Sequence, residues 1–231
     1  MAEQEIRYCT TADGAGIAYY AVGQGKPMVF APGMWSHIRP NARTARTRGE
    51  DARHVASGRV VVRYDGRGMG SSDRRRTEFS LEARVRDLEA IMDHLGLEGV
   101  TLYGSLHGGP TCLAYAARYP ERVSNLILVN TYASGDDYRR LSPAGLPKGA
   151  DASQARWDFY YRSMVRGMIA ASWGIEAANE DDQVAILRDS MSPAAIAAHR
   201  AASREIDVTA MLPEIGVPAL VIHVAGMPVG A

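Results

Sequence analysis

Val100-Thr101-Leu102-Tyr103-Gly104-Ser105-Leu106-His107-Gly108-Gly109 is the stretch on which the reading of this chain turns. The apolar run from Val100 to Tyr103 reads as a buried strand, and it runs straight into Gly104. Gly108 and Gly109 then open a segment to Tyr119 with the pattern of a buried helix, closed by Pro120. A strand that passes into a helix over so few residues must turn sharply. Glycines on both sides of the turn remove Cβ atoms that would collide in it.

Outward from this turn the same alternation continues. Ile17 to Val22 and Pro27 to Ala31 read as strands broken by Gly23-Gln24-Gly25, and Arg59 to Tyr64 is a β-branched run ending at Asp65-Gly66-Arg67-Gly68. Ser80 to Leu95 carries Leu81, Val85, Leu88, Ile91, Met92 and Leu95 at helical spacing, with Ser80 as N-cap and Gly96 at the stop. Val123 to Val129 is a further buried strand. From Ala133 to about Glu205 strand signals give way to helical patterns around Trp157–Trp173, Asp181–Ser190 and Pro193–Glu205, and strand character returns at Val217 to His223. Strands alternating with helices predict a mostly parallel sheet with helices on both faces. The expected division is a core of residues 1–133 and 206–231 and a helical insertion of 134–205. Arg39 to His54 fits poorly. It has no large apolar residue and is crowded with arginines, so a solvated loop or a poorly ordered helix is expected.

Composition narrows the function classes. With 26 basic and 26 acidic residues there is no general pull toward nucleic acid or an anionic membrane. The arginines of 39–53 lack the interleaved aromatics of a nucleic-acid patch. No apolar run approaches the ~18 residues of a membrane span. No secretory signal is read at Met1 to Ile6, and Cys9 and Cys112 have no metal-type spacing, so two free thiols in a reducing cytoplasm are expected.

Three segments carry a resemblance. Phe30-Ala31-Pro32-Gly33-Met34-Trp35-Ser36-His37 follows a strand with a Pro-Gly pair. Tyr64-Asp65-Gly66-Arg67-Gly68-Met69-Gly70-Ser71-Ser72-Asp73 matches an Asp-x-Arg-Gly-x-Gly-x-Ser pattern. Tyr103 to Gly109 then leads into Ala114-Tyr115-Ala116-Ala117-Arg118-Tyr119-Pro120-Glu121-Arg122-Val123. Together these resemble the α/β-hydrolase superfamily over most of residues 15–223. They are most like bacterial members that also occur fused to nucleotide-cyclase or LuxR-type regulatory modules. The resemblance implies an α/β-hydrolase fold whose helical insertion caps the site. It also implies hydrolysis of a carboxylic ester or similar acyl substrate through a serine acyl-enzyme, with no metal and no organic cofactor.

In the family's Gly-x-Ser-x-Gly turn the central residue is the nucleophile, held out on a strained bend before a helix N-terminus. Here Gly104 and Gly108 place Leu106 at that position, and leucine has no hydroxyl. Ser105, one position early, is the weaker alternative. The resemblance makes the backbone N–H groups of Met34 and His107 the oxyanion donors, with the His107 ring a wall of the site. Trp35, Trp157 and Tyr161 are the candidate substrate-contacting rings. Trp157, Phe159, Tyr160, Tyr161 and Trp173 are read first as the core of the insertion, some of whose rings would line the pocket.

Other polar residues have simpler expected roles. Asp65 and Arg67 are expected to fix the loop after their strand, and Asn130 ends a strand where some relatives place an acid. Asp136 and Asp137 lie within reach of the site in sequence. After a strand such as Leu220 to His223 the family places an aspartate, and later a histidine. Here the chain continues Val224-Ala225-Gly226-Met227-Pro228-Val229-Gly230-Ala231. The expectation is therefore a truncated core with the last strand and helix missing, impaired or lost triad chemistry, and His223 as a strand residue. The alternative is a non-catalytic ligand-binding or regulatory protein. The expected partners are a small-molecule ester or apolar ligand and, through the exposed C-terminal edge strand, a second copy in a homodimer.

Overall fold

The computed structural model describes residues 5–39, 45–141, 153–170 and 180–223. Seven strands form one sheet: β1 (Arg7–Thr10), β2 (Gly16–Gly23), β3 (Lys26–Ala31), β4 (Arg59–Tyr64), β5 (Val100–Ser105), β6 (Val123–Val129) and β7 (Ala219–Ile222). Their spatial order is β1-β2-β4-β3-β5-β6-β7. β1 pairs with β2 and β2 with β4 antiparallel, and every pair from β4 to β7 is parallel. Side chains of a strand alternate between faces, so the sheet has two cores. Val29, Val62, Leu102, Leu126 and Leu128 face one side. Met28, Phe30 and Val61 face the other, with Tyr103 and Ile127 partly buried beside them.

The first face is covered by α2 (Leu81–His94) and α3 (Gly109–Arg118). α2 buries Val85, Leu88, Ile91 and Met92, the stripe its spacing predicts. Its N-cap is Ser80, whose Oγ accepts from the Ala83 amide at 3.3 Å, and it stops before Gly96 at φ 58°.

The second face is covered by α1 (Ala45–Ala56), and here the sequence reading is corrected in part. The described part of 39–54 includes an ordered helix, not a solvated loop. The physical reason is a buried ion pair standing where an apolar stripe was sought. Asp51 is buried, and it accepts from Tyr20 Oη at 2.6 Å and Arg63 Nε at 2.7 Å. The Arg63 guanidinium also reaches Glu50 at 2.6 Å and lies 3.6 Å over the Phe30 ring.

Between β6 and β7 the described residues form four α-helices, α4 (Gly135–Leu141), α5 (Gln154–Ala170), α6 (Glu180–Ser190) and α7 (Pro193–Glu205), and then a 3-10 turn over Thr209–Glu214. Their own core, with Tyr160, Tyr161, Val165, Leu187, Met191 and Ile196, also takes in Met69 and Phe79. Polar ties fasten this layer to the loops at the strand ends. The Gly70 amide donates to Ser190 O at 2.9 Å, and His37 Nε2 meets Asp189 Oδ2 at 2.8 Å. Trp173 and residues 224–231 lie outside the described residues. β7 is the outermost described strand beside β6. Leu220 is 55%, Val221 70% and Ile222 39% exposed, so both of its faces are bare among the described residues.

Candidate active site

The turn after β5 has the geometry its glycines predict. Leu106 has φ 47°, a left-handed conformation that a branched side chain rarely adopts. A Cβ on Gly104 would come within 2.8 Å of the Gly109 Cα, and one on Gly108 within 2.5 Å of Ala31 O. The second contact shows how tightly the turn sits against the end of β3. A Cβ on Gly109 would fall 1.7 Å from Thr131 Oγ1. That hydroxyl donates to Leu106 O at 2.7 Å, tying the turn to the end of β6. Ser105 has φ −112° and ψ 144°, extended strand backbone, so the bend itself belongs to Leu106.

The loop after β4 is built around Asp65, whose Oδ2 accepts the amides of Ser71 at 2.8 Å and Ile38 at 3.3 Å. Burial pushes this carboxyl above its usual range. Gly70, at φ 46°, leaves room for it: a Cβ there would lie 2.1 Å from Asp65 Oδ2. Arg67 is buried and holds Asp87 through Nε at 2.9 Å and Asp13 through Nη1 at 2.7 Å. Burial disfavours the Arg67 charge, but the two carboxylates outweigh it and raise its pKa.

The candidate rings converge. Trp35, at φ 73°, lies 5.9 Å from Tyr161 and 6.2 Å from Tyr160 between ring centroids, and Trp157 lies 6.0 Å from Tyr161. Met34 packs on the same cluster. Phe159 is 73% exposed and stands apart from it. Asp136 and Asp137 serve the start of α4: Asp137 accepts Ser134 Oγ at 2.8 Å, and Asp136 pairs with Arg139. His223 is exposed beyond β7.

Sequence reasoning missed a group of buried polar residues beside the turn. The His107 ring stands 5.1 Å from the ring of His199 on α7 and 5.2 Å from Tyr138 on α4. Arg84 of α2 donates from Nε to Phe79 O at 2.9 Å and from Nη2 to Ser203 Oγ at 2.9 Å. Arg200 is buried on the face of α7 that carries His199 and Ser203. Burial, then the Arg84 and Arg200 charges, push the His107 imidazole down to about 3. Burial and the same arginines hold His199 well below the usual histidine value. The available signal was positional: Arg84 lies between Leu81 and Leu88 on the apolar stripe of α2, and Ile196, His199, Arg200 and Ser203 share one helical face.

Cys9 and Cys112 are buried and free, and burial pushes the Cys112 thiol up to about 12. Among the described residues no group of three or more His, Cys, Asp or Glu side chains is placed to hold a metal, and no helix is long and apolar enough to cross a membrane.

A family model described as alpha/beta hydrolase fold matches residues 41–178. The chain belongs to that family. It is similar to the cis-3-alkyl-4-alkyloxetan-2-one decarboxylase of Shewanella oneidensis, 33% identical over 55% of this chain and 39% of that protein. It is also similar to the proline iminopeptidase of Lactobacillus delbrueckii subsp. bulgaricus, 38% identical over 42% of this chain and 36% of that protein. The matches thus span well under half the length of these curated relatives. A solved hydrolase from Pseudomonas aeruginosa shares the fold at a TM-score of 0.75 and 20% identity, over 98% of this chain and 83% of that one.

Proposed function

We propose that this chain has the frame of a serine acyl hydrolase acting on carboxylic esters, with its triad chemistry impaired or lost. The observation that carries the reading is Leu106 at φ 47° on the glycine-flanked bend. The backbone strain is retained, and a side chain with no nucleophilic atom occupies it. In this reading residues 134–205 cap the site, Met34 and His107 supply oxyanion N–H groups, and Trp35, Trp157 and Tyr161 contact a small ester or apolar ligand. Serine hydrolases without triad members retain ~10³-fold catalysis over water from the oxyanion hole and binding, and that sets the ceiling on turnover. The test is p-nitrophenyl ester hydrolysis with and without a fluorophosphonate. Turnover at or below that ceiling, insensitive to the reagent, is expected; efficient turnover abolished by stoichiometric labelling would overturn the reading. Leu106→Ser alone is expected to remain poor, because a neighbouring imidazole held at about 3 is a weak base.

A second reading is a non-catalytic ligand-binding protein, favoured by the buried polar group around His107. Ligand-induced thermal stabilisation without turnover would select it. Self-association through β7 belongs to the same proposal, supported by the exposure of Leu220, Val221 and Ile222. Light scattering at high concentration should show a dimer; a strict monomer with fast amide exchange in β7 would end that idea.

A further inference from the structure

We infer that the buried group formed by Arg84, His107, Tyr138 and His199 binds the carboxylate of a small ligand. This deepens the proposed function and rests on that reading. The argument is a set of unpaired buried polar atoms around a guanidinium, which can only donate. Arg84 is only 8% exposed, and its Nη1 has no hydrogen-bond partner. The guanidinium's other nitrogens donate to neutral oxygens, Phe79 O and Ser203 Oγ, and the Tyr132 hydroxyl lies beside it. His107 Nε2 and Tyr138 Oη are likewise buried without partners. These three atoms come from α2, the turn after β5 and α4, and the His107 ring is 5.2 Å from that of Tyr138.

A buried N–H or O–H left unpaired is costly, and a buried cation with no hydrogen-bonded counter-ion more so. The nearby Asp87 carboxylate favours the Arg84 charge without a hydrogen bond to it. Asp87 lines one small cavity together with Arg84 and His199, but its oxygens are taken by Arg67 at 2.9 and 3.0 Å. Arg200 adds a second buried guanidinium beside Tyr160, at 3.4 Å. The imidazoles, held down by burial, add no charge of their own, so Arg84 sets the sign of the site. What this group lacks is an acceptor with negative charge and two oxygens, which a planar guanidinium matches.

The test uses the full chain and measures thermal stability and calorimetric binding with sodium acetate and sodium benzoate at constant ionic strength. Sodium chloride and methyl benzoate serve as controls. A saturable rise in melting temperature with a carboxylate, weakened about tenfold or more in Arg84→Met, is the expected result. Tyr138→Phe removes one hydroxyl and should weaken carboxylate binding by a smaller factor; it also serves if Arg84→Met fails to fold. No saturable effect in the parent chain, equal binding by chloride, or unchanged binding in the foldable variant would overturn the inference. Methyl benzoate reports on the pocket separately. Its binding without benzoate binding removes the carboxylate site alone, whereas carboxylate binding without it removes the apolar pocket of the proposed function.

Discussion

Arg67 and Arg84 are both buried arginines near the strand ends, and they are paired in opposite ways. Arg67 is enclosed by carboxylates, with Asp13 at 2.7 Å and Asp87 at 2.8 Å. Arg84 meets a carbonyl and a hydroxyl and leaves Nη1 unpaired. The pKa directions follow: carboxylates raise Arg67, while burial lowers Arg84. A buried charge closed by its own chain ties elements together, here the loop after β4, α2 and the turn before β2. A buried charge closed by neutral groups leaves the fold with something still to satisfy. The contrast separates a structural staple from a candidate binding group, although both look alike in sequence.

The largest effect expected from this contrast is on folding. Arg67→Met leaves the buried Asp87 without its cation and should cost ~3–5 kcal/mol. Arg84→Met removes a cation that has no carboxylate of its own but leaves Phe79 O and Ser203 Oγ without their donor, so it should cost less than Arg67→Met, ~1–3 kcal/mol. Urea unfolding of both variants measures the difference. Equal losses would break the distinction.

The second prediction concerns pH. His107 is held at about 3 in the fold against an ordinary value of 6.5. Between those values the unfolded chain binds a proton that the folded chain refuses, so stability rises with pH across the window and is flat above it. The slope approaches ~1.4 kcal/mol per pH unit for each such group, and His199, shifted the same way, adds to it. Asp65 and Asp87 are raised by burial and act with the opposite sign as pH rises from their ordinary 3.8. The comparison that isolates the imidazole is therefore His107→Gln against the parent between pH 5 and 7. The variant should lose part of the slope; identical slopes would refute the assignment.

Most of the fold was legible because it is written in apolar spacing. The stripe of α2, the strands β3 to β6 and the glycine-flanked bend were each readable from residue order alone. α1 was not, because its anchor is Asp51, and a carboxylate in a polar segment looks like surface until its partners Tyr20 and Arg63 are placed in space. The same limit hid part of the candidate site. Leu106 stands out at once, since a motif states which residue belongs there. Arg84, Tyr138 and His199 come from three separate helices, and only packing brings them to His107. The rings of Trp35, Trp157 and Tyr161 lie close together across the loop after β3 and α5.

The smallest effect carries the comparison down to single hydroxyls. Tyr20 Oη donates to Asp51 at 2.6 Å, whereas Tyr138 Oη is buried with no partner. Removing the first breaks a hydrogen bond to a charged group, worth ~1.5–3 kcal/mol. Asp51 keeps its contact with Arg63, so Tyr20→Phe should fall near the lower end of that range. Removing the second breaks nothing in the ligand-free chain and relieves a buried polar atom, so Tyr138→Phe should be neutral or slightly stabilising. Its effect should appear only when a carboxylate is present, as a smaller ligand-induced rise in melting temperature. Denaturation of both variants with and without sodium benzoate reads all four quantities. A Tyr138→Phe loss as large as that of Tyr20→Phe without ligand would mean that the hydroxyl is already satisfied, and the unpaired polar atoms around His107 would be fewer by one.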